Sequence, residues 1–294
     1  MSDPCCSDEH RKEEAPSSPA PCGPSLRTDL LRETVRVSYA QVAKASDAGQ
    51  GCGIGNSCCG VDEDAQINQL ISTRLGYSVQ DLALAPEGAD MGLGCGNPKA
   101  IAALQPGETV LDLGSGGGFD CFLAAVEVGP SGRVIGVDMT PDMIFKARCN
   151  AQKGGYAQVE FRLGEIEHLP LGDGCVDVII SNCVINLSPN KPQVFREAFR
   201  VLRPGGRLAL SDTVASAELP PELKNDPQLY AGCMAGAVRV DELRGMLQAA
   251  GFERIYIQPK DESREFIRDW APGLGVEDYV VSATIEAIKP DRPG

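Results

Sequence analysis

Residues 109–138, TVLDLGSGGGFDCFLAAVEVGPSGRVIGVD, restrict the fold more than any other stretch. TVLDL is a short apolar run that suits a buried strand, and FDCFLAAVEV suits a helix packed on a sheet. RVIGVD supplies the next strand and ends on an acid, Asp138. Between the first strand and the helix stand Gly114, Gly116 and Gly118, which let the chain turn sharply and let a ligand approach the backbone. Open α/β sheets bind ligands at this place, outside the carboxyl ends of the strands. Asp138 falls 22 residues after Gly116, where a carboxylate can accept both hydroxyls of a ribose. Strand, glycine turn, helix, strand and terminal acid, in this order, form a nucleoside-binding signature. The loop reads D-x-G-x-G-x-G rather than the G-x-G-x-x-G of dinucleotide folds. Asp112, ahead of the glycines, would repel a pyrophosphate and suits a cationic or zwitterionic ligand.

Downstream, TPDMIFKARCNAQK reads as a helix with Thr140 as its cap and Pro141 at its first position. VEFRL, VDVIIS and GRLALSDT read as strands, with PQVFREAFRVL as the intervening helix. Strands alternating with helices imply a parallel sheet covered on both faces, so the fold class is α/β. After Pro220 the pattern predicts a helix ELKNDPQLYAG interrupted at Pro227, a helix DELRGMLQAA, a strand FERIYIQ and a final strand YVVSATIEAI. Ahead of the sheet, one helix is predicted from Thr28 to about Ala45 and another from Asp62 to Leu75. Between them GQGCGIGNSCCG forms neither helix nor steady strand. The chain thus divides into a disordered, cysteine-containing tail over 1–27, a helical and glycine-cysteine region over 28–90, a Rossmann-like core over 91–215, and an insertion with the final strands over 216–294.

Charge and hydropathy exclude several classes of function. The 27 basic and 41 acidic residues give a net charge of −14, which leaves no footprint for nucleic acid. No stretch approaches the ~20 apolar residues of a membrane span, and the N-terminus is charged where a signal peptide is apolar. The expectation is a cytoplasmic protein with neither nucleic acid nor membrane as partner.

From about Thr109 to Asp212 the pattern resembles the class I methyltransferases that bind S-adenosylmethionine. LGEIEHLPLGDGCVDVIIS is similar to their adenine-contacting turn and fourth strand, and VLRPGGRLALSD to their helix, glycine turn and fifth strand. The resemblance implies a mostly parallel sheet closed at its edge by an antiparallel last strand, YVVSATIEAI here. It further implies that Asp112, Gly114, Ser115, Gly116 and Gly118 hold the methionine part of the donor, Asp138 and Met139 the ribose, and Glu165 and Ile166 the adenine.

Twelve cysteines are many for a reducing compartment and few for a disulfide scaffold. Methyl transfer is an in-line displacement, and oxygen or nitrogen acceptors usually need a base. The two histidines are His10 in the tail and His168, which reads as a loop residue, so an acceptor that needs no deprotonation fits better. Cys183 stands just past the fourth strand in ISNCVINLSP, Cys233 in LYAGCMAGA after the fifth, and Cys95 in MGLGCGNP ahead of the first. All three can converge above the ligand cleft. Cys121 and Cys149 fall in helices and read as packing residues. Three thiols with few histidines favour a soft, thiophilic centre. Zinc takes four ligands at short spacings, whereas the close pairs here, Cys5–Cys6 and Cys58–Cys59, are adjacent. Trivalent arsenic instead forms three pyramidal bonds to sulfur and keeps a lone pair that can attack a methylsulfonium without a base.

MGLGCGNP, LDLGSGGGFDC, VIGVDMT, IISNCVINLSP and YAGCMAGA, in this order, closely resemble segments of the arsenite methyltransferases. The resemblance implies that Cys95, Cys183 and Cys233 hold As(III), with arsenite or its thiol conjugates as substrate, and that Asn182 and Val184 help line the donor cleft. It implies a fourth cysteine that forms a disulfide with Cys95 during turnover. Cys52, Cys58 and Cys59 are the candidates, with Cys52 favoured. An external thiol such as thioredoxin or glutathione would reduce that disulfide. A separate C-terminal domain is expected to be absent. Two competing readings are a methyltransferase for a small organic acceptor and a metalloid-binding protein without catalysis.

Overall fold

The strands all join one sheet in the computed structural model, which describes residues 24–45 and 63–291. They are β1 (Thr109–Leu113), β2 (Arg133–Asp138), β3 (Val159–Leu163), β4 (Val176–Asn182), β5 (Leu202–Ala215), β6 (Glu253–Lys260) and β7 (Val280–Ile288), in spatial order β3-β2-β1-β4-β5-β7-β6. β1 pairs in parallel with β2 and β4, and the β2–β3 and β4–β5 pairs are also parallel. β7 runs antiparallel to both β5 and β6. This is the expected α/β sheet with an antiparallel last strand, except that β7 does not form the edge. It inserts between β5 and β6, and β6 becomes the rim. The side chains explain the placement: VVSATIEAI is buried along nearly its whole length, whereas ERIYIQPK is mostly exposed and ends in Pro259 and Lys260, residues that discourage further pairing.

The helices are α1 (Pro24–Ala45), α2 (Glu63–Arg74), α3 (Val79–Leu84), α4 (Lys99–Ala102), α5 (Phe119–Val128), α6 (Pro141–Gly154), α7 (Lys191–Val201), α8 (Pro221–Lys224), α9 (Pro227–Ala231), α10 (Val240–Ala250) and α11 (Arg264–Trp270). Alternation along the strands sends side chains to two faces. Leu111, Leu113, Ile179, Leu208 and Leu210 meet Val194, Phe195, Leu243 and Leu247 of α7 and α10 on one face. Val110, Val134, Val178 and Ile180 meet Phe122, Ala124 and Ile144 of α5 and α6 on the other. Each large aliphatic side chain removed from water contributes about 1.5–3 kcal/mol, so these two layers fix where the strand ends lie.

Local signals set the helix ends. Asp226 caps α9 by accepting the Gln228 and Leu229 amides, with Pro227 at the first position, so the predicted interruption divides α8 from α9. Thr140 stands at the N-cap of α6 but makes no side-chain cap bond; its amide donates to Asp138 Oδ1 instead, at 2.8 Å. α11 has no counterpart among the sequence expectations, because seven residues are too few to establish a helical period. α1 begins at Pro24, inside the span read as the tail. The rest of that tail with Cys5, Cys6 and Cys22, apart from residues 24–27, and the whole glycine-cysteine loop with Cys52, Cys58 and Cys59 lie outside the described residues. No described helix is long and apolar enough to cross a membrane.

Candidate active site

The carboxyl ends of β1, β2 and β4 open into a cleft with an empty volume of about 1010 Å³. Its floor is the glycine turn. Gly114, at φ +71°, donates its amide to Val137 O at 2.7 Å, and a Cβ there would lie 2.2 Å from Val184 Cγ2. Only a glycine lets the loop approach the segment after β4 this closely. Gly116 donates its amide to Asp138 Oδ2 at 3.0 Å, so backbone holds the Asp138 carboxylate from two sides.

Of the residues expected to hold the donor, Asp112, Gly114, Ser115, Gly116, Asp138, Met139, Ile166, Asn182 and Val184 line this cleft. Two do not. A Cβ on Gly118 would meet Phe161 at 2.7 Å and Phe122 at 2.8 Å, so this glycine serves helix–sheet packing at the start of α5. Glu165 turns outward to Arg32, 3.7 Å away, and Gly164 and Glu167 line the cleft on either side of Ile166. His168 is also not among the lining residues.

The charge of the lining is lopsided: five acids, Asp90, Asp112, Asp120, Asp138 and Glu167, against one base, Arg32. Burial pushes the Asp112 carboxyl well above the usual carboxylate range, and the neighbouring Asp120 charge adds to the shift. Burial also pushes Asp120 up to about 6, although Tyr77 and Asn182 donate hydrogen bonds to it. A cavity of this sign favours a cationic ligand. Asp90, Asp120, Arg32 and Tyr39 were missed in the sequence. Asp120 sits in the quoted GGGFDC, but Arg32 and Tyr39 arrive on α1, which no local pattern ties to the cleft.

Cys95, Cys183 and Cys233 come together in one buried cluster with Val35 and Leu187, covered by Tyr39 and Trp270. Cys183 reaches the cleft wall; Cys95 and Cys233 are not among the lining residues, and each is 1% exposed. The ligand atoms of Cys95, Cys183 and Asp212 lie within 4.8 Å of one another. Cys233 Sγ donates to the Cys183 carbonyl oxygen at 2.5 Å. Cys183 has φ +59° and Cys233 φ +62°, left-handed values that cost about 1–2 kcal/mol at a residue with a Cβ. Strain of this kind persists where the surrounding structure imposes it, and it concentrates at functional sites. Around Cys183 the constraint is visible: its amide donates to Ser211 O at 2.8 Å on β5.

Asn182 holds the Cys95 loop. Its Oδ1 accepts the Cys95 amide at 3.0 Å, and its Nδ2 donates to Gly96 O at 2.8 Å and to Tyr77 Oη at 3.1 Å. A Cβ on Gly96 would lie 2.0 Å from Ser211 Oγ, so glycine is needed where this loop crosses β5. Asp212, also missed in the sequence, accepts the Ile185 amide at 2.8 Å and Asn186 Nδ2 at 2.9 Å, and burial pushes it up to about 6. Its signal was an acid near the carboxyl end of β5, in the manner of Asp138 closing β2.

Hydrogen bonds with Cys233 and Cys95, then burial, raise the Cys183 thiol well above its ordinary value. For Cys233 the hydrogen bond from Cys183 acts downward, but burial and the Asp212 and Cys95 charges outweigh it, and this thiol too is raised. Both are therefore neutral thiols at neutral pH. Cys121 on α5 is buried and donates to Asp112 Oδ2 at 3.3 Å.

Known proteins resemble this chain in sequence and fold. A family described as a methyltransferase domain matches residues 104–251, about half of the chain. An arsenite methyltransferase of Halobacterium salinarum is 56% identical over 266 residues, covering 89% of this chain and 67% of its own length. The arsenite methyltransferase of Homo sapiens is 41% identical over 154 residues, 49% of this chain and 40% of its own. The chain therefore spans two thirds of the first relative and less than half of the second. The crystal structure of an arsenic (III) S-adenosylmethionine methyltransferase from Chlamydomonas reinhardtii matches with a TM-score of 0.56 at 33% identity, covering 76% of this chain and 74% of that one. A putative sarcosine dimethylglycine methyltransferase from Galdieria sulphuraria, at 15% identity and a TM-score of 0.57, shares the fold alone. The sheet order, the cleft at the strand ends and these likenesses together place the chain in the S-adenosylmethionine-dependent methyltransferases, where it belongs to the arsenite methyltransferase family.

Proposed function

We propose that this protein moves the methyl group of S-adenosylmethionine to trivalent arsenic, giving methylated arsenicals as a route of arsenic detoxification. The observation that carries the reading is the convergence of three buried thiols, from three distant segments, in one cluster of which Cys183 reaches the wall of an acid-lined cleft. When bound, S-adenosylmethionine supplies a methyl group already activated on a sulfonium. The cleft suits it: the Gly114 turn admits a ligand to the backbone, Asp138 stands where ribose hydroxyls can donate, Asp112 faces the methionine end, and Ile166 offers an apolar wall to the adenine.

Cys95, Cys183 and Cys233 hold the arsenic. Each thiol exchanges with an oxygen or sulfur ligand of arsenite or its thiol conjugate, and the thiol proton leaves on the displaced group as water or free thiol. Cys233 gives up its hydrogen bond to the Cys183 carbonyl in that exchange, because the donated proton is the one that departs. The bound arsenic keeps its lone pair, so attack on the methyl carbon needs no base, and among the described residues no histidine lines the cleft. Donating that pair leaves the arsenic pentavalent. The thiol of a second cysteine, with Cys52 favoured over Cys58 and Cys59, attacks the Cys95 sulfur; the S–S bond forms as the Cys95–As bond breaks, its electron pair returns to the arsenic, the attacking thiol's proton leaves to solvent, and thioredoxin or glutathione reduces the disulfide.

The test is turnover: the full chain with arsenite, S-adenosylmethionine and glutathione, assayed for methylated arsenic. Arsenite binding without methylated product would defeat the catalytic reading. Methylation of an organic acceptor that survives both Cys183→Ser and Cys233→Ser would defeat the arsenic site.

A further inference from the structure

The segment Gly88–Met91 lies directly over the glycine turn. A Cβ on Gly117 would stand 3.1 Å from Ala89 O, and one on Gly116 3.4 Å from Met91 Cε. Asp90 therefore enters the cleft beside the methionine end of the donor site, although it belongs to none of the motifs that mark that site in the sequence. One of its oxygens is fixed: Oδ1 accepts Ser72 Oγ at 2.8 Å and the Gly92 amide at 3.0 Å. The other, Oδ2, is buried with no hydrogen-bond partner. The remaining acids of the lining each have a partner: Cys121 for Asp112, Tyr77 for Asp120, the Gly116 and Thr140 amides for Asp138, and Ser188 for Glu167. Among the described residues, Asp90 Oδ2 is the one buried carboxylate oxygen of the cleft that has none.

A buried acceptor without a partner is costly, and native proteins complete one with a ligand, an ion or an ordered water. Its chemistry selects the ligand group. A sulfonium carries charge but no hydrogen to donate, whereas a primary ammonium offers three N–H donors and a full positive charge. We infer that Asp90 Oδ2 receives the α-ammonium of the methionine moiety of S-adenosylmethionine, and that Ser72 and the Gly92 amide orient the carboxylate for that contact. The inference rests on the donor assignment made under Proposed function. The Asp90 charge also acts on Asp120, which places both carboxylates at the same end of the cleft.

Calorimetric titration of the full chain with S-adenosylhomocysteine, and with its analogue lacking the α-amine, tests the assignment. Asp90→Asn keeps an acceptor for Ser72 and Gly92 but removes the charge at Oδ2. Loss of a charge-assisted hydrogen bond should weaken S-adenosylhomocysteine by about 10- to 100-fold and leave the deamino analogue within about twofold of wild type. Asp90→Ser, which withdraws the carboxylate altogether, should give the same selective loss if the Asn variant fails to fold. Equal weakening of both ligands would make Asp90 a merely structural residue and overturn the proposal, as would unchanged S-adenosylhomocysteine affinity in both variants. Failure of wild-type protein to bind either ligand would instead overturn the donor assignment on which the proposal rests.

Discussion

Arsenite binding to the thiol cluster should be flat in pH from about 6.5 to 8.5, because the Cys183 and Cys233 thiols are held neutral across that range. Exchange of a neutral thiol for a hydroxyl of arsenous acid makes one S–As bond and one water, and neither takes a proton from solvent nor releases one. If either residue were a thiolate in the free protein, its exchange would have to draw a proton from solvent. Affinity would then fall about tenfold, 1.36 kcal/mol, for each pH unit, or about 100-fold across the window. A divalent metal in the same thiols gives the opposite sign, since it displaces protons and binds more tightly as pH rises. Trp270, the only tryptophan of the chain, packs against the cluster, so its fluorescence supplies the binding signal without a label. Dissociation constants for arsenite at both ends of the window should agree within about twofold. A loss of one decade per pH unit that persists in Cys95→Ser would refute the argument that burial and mutual hydrogen bonding keep these two groups protonated.

Three further outcomes follow from the same contacts. Cys183→Gly should be more stable than Cys183→Ala by about 1 kcal/mol in urea unfolding, because only the alanine retains the left-handed penalty at φ +59°; equal stabilities would mean that the backbone relaxes. Asn182→Ala leaves the Cys95 amide and Gly96 carbonyl without their partners and should cost about 1–3 kcal/mol in thermal unfolding, together with weakened arsenite binding; unaltered arsenite affinity would show that the Cys95 loop holds its place unaided. Asp212, raised by burial from 3.8 to about 6, binds its proton more tightly in the folded state, so its stabilising contribution is present below the unfolded value and is lost as pH rises through the folded one. The unfolding free energy of wild type relative to Asp212→Asn, from urea titrations, should therefore fall between about pH 4 and pH 7 by on the order of 3 kcal/mol, and parallel curves would contradict the shift.

The parts that sequence made legible are those where local chemistry and global position coincide. Gly114, Asp138 and the strand patterns of β1, β2 and β4 could be read because each residue answers a requirement of its own neighbourhood: a positive φ, a strand end, a buried face. Gly118 belonged to the same glycine run yet packs on Phe122 and Phe161, and spacing alone cannot separate a ligand-facing glycine from a packing one. Glu165 and Glu167 both pair with Arg32 of α1, yet the first is exposed and the second buried at the cleft, a difference that residue type and spacing do not reveal. Sequence puts β7 at the edge because its pairing is non-local; in the structure its nearly continuous burial follows from the strands on both sides of it. Asp90 carries no motif at all. Its role depends on an orphaned oxygen that exists only once the segment Gly88–Met91 has folded over the glycine turn.

Three consecutive residues at the end of β4 tie the two halves of the site together. Asn182 anchors the Cys95 loop, Cys183 presents its thiol at the cleft wall, and Val184 packs against Gly114 of the donor turn. Methyl transfer requires acceptor and carbon to approach within about 3–3.5 Å in line, a tolerance that flexible loops seldom hold by themselves. Because the three residues are consecutive, the contact with the glycine turn and the thiol at the cleft wall are one residue apart along the chain. The left-handed conformation at Cys183 has a reason in this frame. An extended residue would continue β4 along β5, as Ser181 and Asn182 do with Leu210 and Ser211. The turn at φ +59° instead takes the thiol off the strand path while the residues on either side keep their own contacts. At the end of β4 the left-handed strain thus falls on the residue whose departure from the sheet puts sulfur beside the cleft.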